Sequence, residues 1–292
     1  MRRTRFIAES TVADLRKIVV NLALPAVLFV AFLETEFVAS DLLIVVVTFV
    51  VPVALYGVGR ALQPRFGFGH EYFPVLMTGF EAGMLGISLF GTAYGLSQVG
   101  RFAVVDLGHE LFIWFVFLAI LLAKRDGTQS PRNLVAAFLK SPVIVAILLG
   151  IAGNLFDLEA SLYDWPITGG VMATLGFLAS LTVPLILLIV GYGIHLDVAG
   201  VREAAVPVAV RLAVTLPIAI VLPLLLMDNV LDNNPYSQAA LFTLFILPPP
   251  FIIPLYMRDG IDDERRYVNN TLSLYTLVSI AVFVIYLTVN PI

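Results

Sequence analysis

Residues 79–91 read Gly79-Phe80-Glu81-Ala82-Gly83-Met84-Leu85-Gly86-Ile87-Ser88-Leu89-Phe90-Gly91. They lie in the middle of an apolar segment, 73–95, that is otherwise long enough to cross a bilayer. Four glycines around one carboxylate predict a helix interrupted part-way through the membrane. A second apolar segment, 238–257, is interrupted in the same manner by Pro248-Pro249-Pro250 and Pro254. Each proline removes a backbone donor, so that segment is expected to unwind near 248–250.

The composition fits this setting. Of 292 residues, 60% are hydrophobic and 13% charged, and mean hydropathy is +0.97. A soluble domain has about 45–50% apolar and about 25% charged residues. A water-soluble enzyme of this composition would be unable to cover its own surface. The absence of cysteine excludes thiolate metal sites and redox dithiols, and His70, His109 and His195 are too scattered to predict a metal centre. A net charge of -4, spread over separate loops, does not point to a nucleic-acid partner.

A hydrocarbon core of about 30 Å takes roughly 20 apolar residues of helix. Nine segments meet that requirement: 15–33, 41–59, 73–95, 103–123, 134–156, 168–194, 204–227, 238–257 and 271–289. Counting these spans with the N-terminus in the cytoplasm puts 16 of the 17 basic residues on one side, Arg101 being the exception. The opposite loops carry Glu34, Glu36, Asp41, Asp157, Glu159, Asp164, Asp228 and Asp232. The positive-inside rule then predicts an N-in, C-out protein of the plasma (inner) membrane. Arginine outnumbers lysine 14 to 3, which points to a prokaryote.

Segments five apart resemble one another. Asn21-Leu22-Ala23-Leu24-Pro25 in the first matches Leu181-Thr182-Val183-Pro184 in the sixth; Val51-Pro52-Val53 in the second matches Leu216-Pro217-Ile218 in the seventh. The two interrupted segments are themselves partners. The expected fold is therefore all-α, with nine transmembrane helices in an inverted-topology repeat of 4+5 and two broken, crossing helices. Discontinuous helices at corresponding positions of two halves are a pointer to a transporter's binding site. The fifth segment has no partner, and its mate would precede the first.

The chain resembles the auxin efflux carrier family of membrane transport proteins. The resemblance rests on Asn21 to Pro25, Gly79 to Gly91, Ser141-Pro142 to Gly150, Thr182 to Gly191, and Pro248 onward with Thr271-Leu272-Ser273. It implies the bile-acid/auxin carrier fold. In it 15–33 and 134–194 form a scaffold, while 41–123 and 204–289 form a transport part. It also implies that the family's first helix is absent or lies upstream of the start assigned here, its vacant place covered by lipid or by a second copy in a homodimer. The family's usual Asn in the Gly-rich stretch is Glu81 here, and the Pro often found after it is Ser88.

These readings give a secondary active transporter (permease) for a small organic anion. It would work by alternating access, as a proton-coupled carrier or an electrogenic uniporter, with H+ ranked ahead of Na+ and no cofactor. The substrate-binding candidates are Asn21, Gly79, Glu81, Gly83, Ser88, Pro248, Pro249, Pro250 and Asn270. The proton-coupling candidates are Glu81 and the cluster Asp106, His109 and Glu110, whose i,i+3 and i,i+4 spacings share one helix face. Asn269, Asn270 and Ser273 are expected at the start of the last helix, where capping competes with binding. Arg211, about two turns into its segment, is expected to snorkel. The alternative is a non-transporting membrane sensor or receptor on a transporter fold. An enzyme is not expected. His70-Glu71 and His109-Glu110 each lack the second histidine of a zinc-protease motif, Pro74 and Ile113 standing in its place, and no G-x-S-x-G occurs.

Overall fold

The computed structural model describes residues 8–35, 37, 41–67, 69–126, 131–193, 200–226, 234–258 and 260–292. His195, Glu36, Asp228, Asp232 and the arginines at 2, 3 and 5 lie outside them. Helix is the only regular secondary structure among the described residues, with no strand. Six helices are long and apolar enough to cross a membrane: Ser10–Glu34, Asp41–Phe66, Leu96–Arg125, Pro166–Tyr192, Val201–Leu226 and Asp262–Val289. Their outward faces are apolar, as Phe177, Leu224, Leu225 and Ile285 show, each more than half exposed. Apolar surface on this scale has no place in water and matches a hydrocarbon solvent. The chain has the architecture of an integral membrane protein.

The other three expected spans are interrupted. Segment 73–95 is helical at Phe73–Leu76 and again at Ala82–Tyr94, with a non-helical break between. Segment 238–257 is helical at Pro235–Ile246 and then passes through the prolines into a short 3-10 turn, Ile253–Tyr256. Segment 134–156 is divided as well, into Pro131–Lys140 and Pro142–Leu155. The cause is Pro142, which holds Ser141 extended at ψ 124 and starts a new helix as its first residue. The last helix begins at Asp262, nine residues before the expected start. Its first turn holds Asp262, Asp263 and Glu264, whose charges suit a helix N-terminus.

The chain divides into two compact units. The first comprises Met1–Phe37, Gly83–Val104 and Ala136–Gly193. Within it Ser10–Glu34 packs along Pro142–Leu155. The Asn154 amide donates to the carbonyls of Leu33 (2.7 Å) and Thr35 (2.9 Å), satisfying acceptors that the end of the first helix leaves open. The second comprises Val38–Ala82, Val105–Val135 and Ile194–Ile292. Both interruptions that decide the candidate site, 77–81 and 247–252, fall in this second unit. Its core includes Tyr72, Val75, Leu76, Phe112, Phe117, Leu121, Ile253 and Tyr267, which pack the ends of both breaks against the neighbouring helices. Gly108 lets Leu96–Arg125 lie against Asp41–Phe66, since a Cβ there would come within 1.9 Å of the Val45 carbonyl oxygen.

Candidate functional site

The two breaks meet and exchange main-chain groups. Three successive prolines push Leu247, Pro248 and Pro249 away from helical backbone, and Leu247 accordingly sits at ψ 152. On the other strand of the crossing, Gly79 adopts φ +67, a conformation that side chains resist. A Cβ on Gly79 would also meet Pro250 Cγ at 2.8 Å. The Glu81 amide donates to the Pro248 carbonyl (2.9 Å), and the Phe251 amide donates to Glu81 Oε2 (2.5 Å). Glu81, only 7% exposed, thus staples the crossing with both its backbone and its side chain.

An interrupted helix strands donors and acceptors in a place without water, and each needs a partner. Buried side chains supply them. The Phe80 amide donates to His109 Nε2 at 2.9 Å. With Nε2 accepting, the ring proton is on Nδ1, which donates to Asp106 Oδ1 at 2.7 Å. Asp106 and His109 are both buried. Their neighbour Glu110 accepts from Trp114 Nε1 at 3.0 Å. Ser279 donates to the Ile246 carbonyl (2.7 Å), and Thr78 donates to the Pro52 carbonyl.

The remaining acceptors converge on Arg211. One terminal nitrogen of its guanidinium donates to the Leu76 carbonyl (2.9 Å), and the other to those of Gly79 (2.5 Å) and Leu247 (3.3 Å). These carbonyls belong to both breaks. The guanidinium carbon lies 4.9 Å from the Phe80 ring centre and 5.3 Å from that of Tyr275. Arg211 is 1% exposed, which corrects the expected snorkelling: its stem turns toward the crossing because three unmet carbonyls there outbid the distant surface. It is the residue sequence reasoning undervalued. The available signal was a lone cation inside an otherwise apolar span, a functional-site hypothesis by default.

The structure gathers Gly79, Glu81, Pro248, Pro249, Pro250, Asp106 and His109 around one crossing. Glu110 is on the same helix as the last two. Asn270 and Ser273 are buried in Asp262–Val289. They stand more than a turn past its start, so they do not cap it. Three candidates belong to the first unit. Asn21 is exposed and donates to the Lys17 carbonyl (2.8 Å). Gly83 faces the Leu24 side chain, and Ser88 is fully buried, its carbonyl accepting from Thr92 (2.6 Å).

A second polar cluster in the second unit ties a loop to two helices. His70 Nε2 is 2.7 Å from Glu203 Oε1 and its Nδ1 is 3.0 Å from Glu264 Oε1. Its ring stacks on Tyr267 at 3.8 Å. Among the described residues no group of three or more His, Cys, Asp or Glu is arranged to hold a metal ion. No protein-family model and no curated protein matches the chain.

Proposed function

We propose that the chain is a secondary transporter of the auxin efflux carrier type that moves a small organic anion by alternating access. The observation that carries this reading is the crossing of 77–81 with 247–252, where the backbone groups freed from two helices are held by Glu81, His109 and Arg211. Non-helical backbone at membrane depth is tolerated where it is buried in protein or lines a cavity, and it is the usual framework of a carrier's binding site. The buried Arg211 charge favours a negative group near the crossing. In this reading the nine segments form the inverted repeat, the N-terminus is cytoplasmic, and H+ is the coupling ion.

A route for coupling follows from the bonds. His109 can hold the Phe80 amide only while Nε2 is unprotonated. A proton arriving at Nε2 would turn an acceptor into a donor facing a donor, and so release one strand of the crossing. The groups that bear on that ring are Asp106 and Glu110 from its own helix, Arg211 from Val201–Leu226, and the Phe80 amide. The test is substrate-dependent current from proteoliposomes over a panel of mono- and dicarboxylates, run in acidic and in neutral buffer. Current with at least one carboxylate supports the transporter. No current from folded protein with any of them would move the reading to a membrane sensor.

A further inference from the structure

We propose that Arg211 is a tethered cation occupying a carbonyl cage of the kind that holds a monovalent cation, and that removing it opens a site for guanidinium or Na+. Carbonyl oxygens of Leu76, Gly79 and Leu247, drawn from both interrupted segments, point at one positive group. Two aromatic faces, Phe80 and Tyr275, close over it. The set combines carbonyl dipoles, which receive a monovalent cation in discontinuous-helix carriers, with ring quadrupoles, which attract cations in general. A covalently held guanidinium takes that place here. It binds its charge to the protein, so no free cation need enter or leave for the crossing to hold together.

The consequence for coupling rests on the transport reading above: a wild-type carrier built this way has no use for a sodium gradient. The cage itself does not rest on it, and is tested without transport. The purified full chain is melted as wild type, Arg211→Ala, Arg211→Lys and Arg211→Gln, in choline, sodium and millimolar guanidinium chloride. The wild type is expected to melt at the same temperature in all three. Arg211→Ala should melt lower in choline and recover by about 2–4 °C in guanidinium or sodium, as a ligand that binds only the folded state requires. Should the alanine variant not fold, the other pair decides. Lysine keeps the charge and glutamine keeps only hydrogen-bond donors, so Arg211→Lys should melt above Arg211→Gln. An alanine variant indifferent to the cation, a glutamine variant as stable as the lysine one, or a wild type stabilised by sodium over choline would each overturn the cage. Proteoliposome currents run with and without a sodium gradient separate the two proposals. Cation rescue without any current keeps the cage and removes the transporter, while current without rescue does the reverse.

Discussion

The Phe80 amide and the His109 ring are 2.9 Å apart, and the bond between them fixes which ring nitrogen carries the proton. His109→Ala leaves a buried amide without its acceptor, a loss of about 1–3 kcal/mol. His109→Gln can accept through its side-chain oxygen and does not titrate. We expect the glutamine variant to melt near the wild type and the alanine variant several degrees below it. If His109 carries the coupling proton, the glutamine variant also transports with a flattened pH profile. A profile identical to wild type would return His109 to a purely structural role.

Glu81 separates in the same way. Its side-chain oxygen accepts the Phe251 amide, a bond that a glutamine oxygen can replace. Glu81→Gln should therefore fold, whereas Glu81→Ala should lose about 1–3 kcal/mol through the orphaned amide. Thermal melting of the two variants checks the structural half. The pH dependence of current in Glu81→Gln checks the coupling half, where unchanged dependence would leave Glu81 as a staple only.

Outside the spans, Tyr163 donates to Glu34 Oε1 at 2.5 Å within the first unit. Burial, and then the adjacent Glu34 carboxylate, push the phenol above its ordinary value. A folded-state pKa raised above the unfolded one gives stability that is complete below about pH 10 and declines as pH rises past it. Tyr163→Phe should thus melt below wild type near neutrality, and the gap should narrow in alkaline buffer. A gap that is constant from neutral to alkaline pH would show that the phenol's proton does not contribute.

Much of this arrangement was legible in the sequence because membrane helices advertise their breaks. Gly79 to Gly91 and Pro248 to Pro250 stand out in apolar runs, and the structure interrupts the helices at Gly79 and at the prolines, while Gly83, Gly86 and Gly91 stay helical. The division at Ser141-Pro142 was less visible, since one proline in a long span reads as readily as a kink. Arg211 was misjudged for a different reason. Snorkelling is decided by where unmet acceptors lie in three dimensions, and the carbonyls of Leu76 and Leu247 are remote from it in sequence. The His70 cluster was hidden likewise, because its carboxylates come from helices well over a hundred residues away. The pairing of Asp106 with His109, three residues apart on one helix, was readable from spacing alone.

Gly79 lies tightly against the Pro250 ring in the crossing. Gly79 and Gly69 both have positive φ, +67 and +81. They differ in their surroundings: a Cβ on Gly69 meets nothing within 4 Å, while one on Gly79 meets the Pro250 ring at 2.8 Å. Gly69→Ala carries the backbone strain alone, about 1–2 kcal/mol. Gly79→Ala adds an overlap with a ring held by its own proline neighbours, for a total of about 3–5 kcal/mol once overpacking is included. Melting should fall more in Gly79→Ala than in Gly69→Ala, and part of the difference should return in the double variant Gly79→Ala with Pro250→Ala, where the obstructing ring is gone. Equal losses in the two single variants would mean that the crossing opens at this point without cost, and that the contact between Gly79 and Pro250 does not hold it closed.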